Sequence, residues 1–259
     1  MDPVIQTENP SKAFAPSSTY RRDRWPSRQD AAERFSASKF YQAWDPRALA
    51  QWNKYGLRDL PTELYPDQVN QEDRPVTLKT PVPQEVFSYL RPKYYGNPER
   101  SPDTDRSVYG DMHPQDVEQD YDFYRPEPAE IFRRLPELKP PVLYIFGKDS
   151  VLATPALRQK KLETTGTGVG GSGGREEGAV QETVLDCGHL VPMERVTESA
   201  EAAAAFTALE LNRWETATQE WQSRWRSKPR RERVRIDEEW RTKIGPRTPK
   251  TTGMGKATK

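Results

Sequence analysis

The chain has 259 residues, with 40 Lys and Arg against 39 Asp and Glu. A formal net charge of +1 argues against a general polyanion binder, so no nucleic-acid partner is expected. Hydrophobic content of 34% and a mean hydropathy of −0.98 exclude a body in which every segment sits in a core.

The opening "MDPVIQTENP" lacks the charged start and apolar middle of a secretory signal. Residues 11–28 are polar, rich in Ser and Arg, and read as extended. "SRQDAAERF" starts a helix, with Ser27 as cap and Asp30 and Glu33 at the positive helix end. "DPRALAQWNKYGL" repeats the device, with Asp45 at the cap, Pro46 in the first turn and Gly56 at the end. Leu49, Trp52 and Tyr55 are predicted near one face of that helix. "TPVPQEVFSYLRPKY" is a third helix start, closed by Pro92. Residues 96–128 are dense in Pro, Asp, Gly and Tyr and read as loop; His113 falls there as an exposed residue.

After a short helix at "AEIFRRL", the run "PPVLYIFGKDS" is nearly continuous in β-formers, as in a strand buried on both faces of a parallel sheet. "TPALRQKKLE" is a helix, residues 164–178 are a glycine-rich loop, and "VQETVLDCGH" is a second strand. A long helix follows, with Phe206, Leu209, Trp214, Trp221 and Trp225 as its candidate packing side. The tail from Lys228 mixes Arg clusters with "IDEEW" and ends in a Gly/Thr/Lys-rich segment expected to be disordered. Strand, helix, loop, strand, helix is α/β logic. Two parallel strands do not make a stable sheet, and their outer edges would leave backbone groups unpaired.

"PPVLYIFGKDS", then "VLDCGHLVPME", then a long helix resembles the last two strands and last helix of an α/β-hydrolase. "RRDRWPSRQDAAERF", "KFYQAWDPRALAQWNKYGLRDLP", "VTLKTPVPQEVFSYLRP" and the loop "TGTGVGGSGG" resemble one fungal group of that family. That group holds toxin-biosynthesis hydrolases and the peroxisomal acyl-CoA hydrolase type of mycophenolic acid synthesis. The resemblance implies an incomplete α/β-hydrolase fold: a remnant of a core strand and linker at 1–20, a helical cap at 21–135, the C-terminal core at 136–226 and a charged, partly disordered tail at 227–259. It also implies that the upstream strands, the oxyanion loop and the nucleophile elbow fall outside these residues.

Acyl transfer of this kind needs a serine that attacks, a histidine that carries its proton and a carboxylate that orients the histidine. The resemblance puts His189 at the base position. It leaves two acids open: Asp2, in "MDPVI", and Asp149, at the end of the first clear strand. One literal Gly-x-Ser-x-Gly occurs, Gly170 to Gly174, but no apolar strand precedes Ser172 and no helix follows it, and it lies after both acids. The same loop matches G-x-G-x-x-G through Gly166, Gly168 and Gly171, without the flanking strand and helix that phosphate binding requires.

Cys187, two residues before His189, reads as a small buried side chain, and Glu194 as a surface carboxylate within reach of the His189 loop. Trp25, Trp44 and Trp52 are the candidate walls of an acyl pocket, with ordinary cap packing as the competing reading. One cysteine and two histidines make a zinc site improbable, and neither a metal nor a cofactor is expected. No apolar run reaches the ~20 residues that span a bilayer. The expected function is that of a serine-type ester or acyl-CoA thioester hydrolase, inactive as written for want of the nucleophile. The alternative is a non-catalytic binding module that self-associates through exposed sheet edges. The terminal Ala-Thr-Lys departs from a Ser-Lys-Leu tripeptide, so a cytoplasmic location is expected over the group's peroxisomal one.

Overall fold

A computed structural model of the chain describes residues 1–8, 10–66, 74–94, 109–113, 115 and 121–246. These belong to two units, Met1–Phe206 and Thr207–Lys259. Residues 96–108, 114 and 116–120 of the expected loop, and the Gly/Thr/Lys-rich end of the tail from residue 247, lie outside the described residues.

In the first unit, helix α1 (Ala15–Thr19) precedes α2 (Arg28–Ala37), α3 (Lys39–Gln42) and α4 (Pro46–Tyr55). The capping chemistry read from the sequence is present: Ser27 Oγ accepts from the Asp30 amide at 3.0 Å, and Asp45 Oδ1 accepts from the Arg47 amide at 2.8 Å. The side chain of Arg47 adds an ion pair, which holds the Asp45 carboxyl down at about 2. Leu49 and Trp52 pack against the Trp25–Phe35 cluster, whereas Tyr55 is exposed, so the stripe expected on α4 ends one turn early.

The stretch expected as a helical cap, residues 21–135, is not purely helical among the described residues. Strands β1 (Arg24–Trp25), β2 (Leu57–Asp59) and β3 (Val76–Leu78) form an antiparallel sheet with β3 in the centre. Runs of two or three residues carry no readable period-2 pattern, so only the fold reveals them. The sheet closes a core of Trp25, Ala31, Phe35, Leu57, Val76 and Leu78. Helix α5 (Val82–Tyr89) then leads to β4 (Arg91–Pro92), paired antiparallel with β5 (Phe123–Tyr124).

Helix α6 (Glu127–Arg134) leads to β6 (Val142–Gly147), α7 (Pro155–Thr164) and β7 (Val180–Leu185). β6 and β7 run parallel, from Val142 opposite Val180 to Gly147 opposite Leu185. The unbroken apolar run in β6 is explained by two covered faces. Tyr144 and Phe146 pack with Ala153, Leu162 and Val180 on one side. Leu143 and Ile145 pack with Cys187, Val191, Ala202 and Ala203 on the other. β7 alternates instead, with Val184 39% exposed.

The glycine-rich loop between α7 and β7 is pinned to the turn at Leu135–Leu138. The amides of Gly166, Gly168 and Ser172 donate to the carbonyls of Leu135, Pro136 and Leu138 at 2.8, 2.9 and 3.0 Å.

Helices α8 (Val191–Glu194) and α9 (Val196–Ser227) follow β7, and α10 (Arg230–Arg233) and α11 (Glu238–Ile244) lie within the second unit. The side of α9 expected to pack is exposed at Leu209, Trp214, Trp221 and Trp225. Its buried contribution comes from small residues near its start, with Ser199 at 2% exposure and Ala202 and Ala203 against the β6 core. Trp221 and Trp225 stack on each other, centroids 6.0 Å apart.

Candidate active site

β7 ends at Leu185 and the chain turns through Cys187, Gly188 and His189 into α8. Main-chain bonds fix this turn to the end of β6: the Lys148 amide donates to the Leu185 carbonyl at 2.8 Å, and the Asp149 amide to the Cys187 carbonyl at 3.0 Å. The approach is so close that a Cβ on Gly147 would stand 1.9 Å from the Gly188 carbonyl oxygen. Only glycine fits there. From the other side, Glu194 Oε2 accepts from the Gly188 amide at 2.8 Å. Glu194 therefore braces the turn from within it.

His189 is held by this turn with its side chain 38% exposed, and Nδ1 lies 3.1 Å from Asp2 Oδ2. The Asp2 side chain is 0% exposed. Its other oxygen, Oδ1, is buried without a hydrogen-bond partner among the described residues. A carboxylate on Nδ1 fixes the tautomer that leaves Nε2 free to accept a proton, which is the geometry of an acid–base pair.

Of the two acids left open by the sequence, Asp2 stands beside His189. Asp149 contributes its backbone amide to the turn, its residue is exposed, and no hydrogen bond or ion pair joins its carboxylate to the imidazole. Neither aspartate was separable from sequence, because the Asp2–His189 contact joins residues 187 positions apart. The brace from Gly147 was missed, although "FGKDS" at a strand end carries that glycine.

Cys187 is buried, and burial, with the Glu194 carboxylate second, pushes its thiol up to about 11. A protonated thiol at neutral pH is not a nucleophile. Ser172 Oγ accepts from the Gly174 amide at 3.4 Å within its loop, and no hydrogen bond joins it to His189. His113 is exposed.

Trp25, at 5% exposure, is a core residue of the cluster under β1–β3, edge-to-face on Phe35 at 5.2 Å. Trp44 and Trp52 meet edge-to-face at 5.9 Å, and both indole nitrogens are buried without a hydrogen-bond partner among the described residues. Trp44 adjoins the seam with the histidine turn. The Asp45 amide donates to the Met193 carbonyl at 2.7 Å, and the Arg47 guanidinium donates to Thr197 Oγ1 at 2.8 Å. Among the described residues there is no cluster of His, Cys, Asp and Glu that could hold a metal ion, and no helix long and apolar enough to cross a membrane.

No protein-family model matches the chain. It is 33% identical over 265 residues to a type I acyl-CoA thioesterase, mpaH', of Penicillium brevicompactum, covering 93% of this chain and 58% of that protein. The mpaH thioesterase of Penicillium roqueforti is 34% identical over 85% of this chain and 54% of its own length. The abhydrolase domain-containing protein AFT2-1 of Alternaria alternata is 26% identical over 71% of this chain and 62% of its own. The chain thus spans a little over half the length of these curated relatives. Among solved structures, the peroxisomal alpha-beta-hydrolase Lpx1 of Saccharomyces cerevisiae superposes with a TM-score of 0.47 at 13% identity, over 78% of this chain and 42% of that one.

Proposed function

Because the chain belongs to the fungal α/β-hydrolases, we propose that it carries the acid, the base and the cap of a serine-type ester or acyl-CoA thioester hydrolase. The observation that carries this reading is the buried Asp2 carboxylate 3.1 Å from His189 Nδ1. In that role Nε2 takes the proton of an attacking hydroxyl and returns it to the leaving alkoxide or thiolate, and Asp2 stabilises the imidazolium between the two steps. Trp44 and Trp52 are the proposed apolar walls for the acyl group, with Trp25 supporting them from the cap core. The thioesterase names of the relatives favour a small acyl thioester as substrate.

Among the described residues no hydroxyl or thiol is hydrogen-bonded to His189. Ser172 lacks the strand-to-turn-to-helix setting, and the Cys187 thiol stays protonated, so these 259 residues are proposed to be inactive alone. The free edge of β6 is a place where a further strand could pair. Val142 and Lys148 point their amides at β7, so Leu143 and Ile145 point theirs away, and the sheet has no third strand among the described residues. A parallel strand from a nucleophile-bearing segment fits that edge.

The test is an assay of the 259-residue chain on short acyl esters and acyl-CoA thioesters. No turnover above background is expected. Turnover abolished by His189→Ala overturns the inactivity. The same unpaired edge supports a second reading, a non-catalytic module that binds another chain. A silent protein that light scattering finds in a stable, folded complex favours it.

A further inference from the structure

We propose that α9 is a dimerisation helix: its exposed stripe between Leu211 and Trp225 packs antiparallel against the same stripe of a second copy of this chain. The inference is independent of the acid–base reading above and uses none of its residues.

The stripe lies within the second unit and has a regular spacing. Leu211, Trp214, Thr218, Trp221 and Trp225 follow one another in steps of three, four, three and four residues. That alternation averages the ~3.5-residue repeat that keeps one seam of a helix turned to a partner helix over successive turns. Leu211, Trp214, Trp221 and Trp225 are 51%, 63%, 58% and 42% exposed. Trp221 and Trp225 stack nearly flat, with their planes 5° apart, and so present one apolar slab. A contiguous apolar stripe left in water marks a surface that another body covers.

Size and charge select a second copy as that body. With Leu211 opposite Trp221 of the second copy, antiparallel pairing sets Trp214 opposite Thr218, a large side chain against a small one. In the same register Glu210 flanks Arg224 of the second copy, and two-fold symmetry makes that pair twice. Glu210 is already held by Arg213 along the helix at 2.9 Å, so meeting a further cation costs it little side-chain freedom. A parallel, in-register pair would set Glu210 against Glu215 instead and stack tryptophan on tryptophan in three layers. The antiparallel pair has one like-charge contact, Glu215 with its own copy at the centre. Glu210, Glu215 and Glu220 beside the stripe disfavour an anionic lipid surface as the occupant.

A tryptophan covers ~150–250 Å² when fully buried, and about half of each is still open here. The six tryptophans of a pair supply roughly 600 Å², against the ~1,600 Å² of a standard interface. The dimer is therefore expected to be reversible.

The experiment is sedimentation equilibrium of the full 259-residue chain over the micromolar range, where a monomer–dimer equilibrium is expected. Trp221→Glu should weaken it at least about tenfold, with the helical circular dichroism retained because the side chain is exposed. Glu210→Arg and Arg224→Glu should each weaken it by about fivefold or more. An equimolar mixture of those two variants should regain the parent affinity, because the exchanged charges then meet across the pair. Should Trp221→Glu lose its helical signal, the mixture decides alone.

A parent that stays monomeric throughout overturns the proposal. So does a dimer indifferent to Trp221→Glu, which points to the β6 edge instead, and so does a mixture no tighter than its separate components. A monomeric chain that co-sediments with anionic phospholipid vesicles overturns it in favour of a lipid surface.

Discussion

Gly147 and Cys187 make the tightest residue-scale predictions. A methyl group at 147 would overlap the Gly188 carbonyl at 1.9 Å, and both sides of that contact are main chain, so no side-chain rotation relieves it. Gly147→Ala is expected to push the histidine turn off the end of β6 and destabilise the fold by on the order of 3 kcal/mol, read from urea unfolding. An unchanged midpoint would mean that the turn is looser than described. Cys187 has a thiol raised from 9.0 to about 11 by burial and the nearby Glu194. A raised acid stabilises the folded state in its protonated form. That contribution is fully present below pH 9 and is lost as the pH climbs towards 11. At pH 8 iodoacetamide should therefore alkylate the native protein at least roughly tenfold more slowly than the urea-unfolded chain. Equal rates would show an exposed thiol.

At the scale of elements, β6 and β7 differ in what they bury. Phe146 is 0% exposed and packs with Tyr144, Ala153, Leu162 and Val180. Val184, its register partner across the parallel ladder, is 39% exposed. Phe146→Ala should cost about 3–5 kcal/mol and Val184→Ala under about 1 kcal/mol, both from denaturant midpoints. Comparable losses would contradict a β7 that is only half covered. The same contrast shows what was legible. β6 announced itself because an unbroken run of β-formers fits two covered faces, and α2 and α4 because Ser27 and Asp45 stand one residue before them. The β1–β3–β2 sheet was hidden because its strands are two or three residues long. The long helix misled for a different reason: an apolar stripe marks what a helix could cover, not what covers it, and Ala202 and Ala203 turned out to touch the core.

For the whole molecule, the candidate site was half legible. A glycine–histidine pair after a strand suggests a strand-end histidine, but its place as the candidate base came only from the family resemblance. Its partner acid was not readable locally, since the Asp2–His189 contact joins residues 187 positions apart. The contact between α4 and the segment after His189 carries one more consequence. The Asp45 amide holds the Met193 carbonyl at 2.7 Å, within the short helix that begins two residues past His189. Donor and acceptor are both peptide groups, so ordinary drift at either position leaves the clasp intact, and proline at 45 is the one replacement that strips its hydrogen. A rigid shift of α4 away from α8 must either break that clasp or carry the His189 turn along with it. The place of α4 and the aim of the His189 imidazole are thereby mechanically linked.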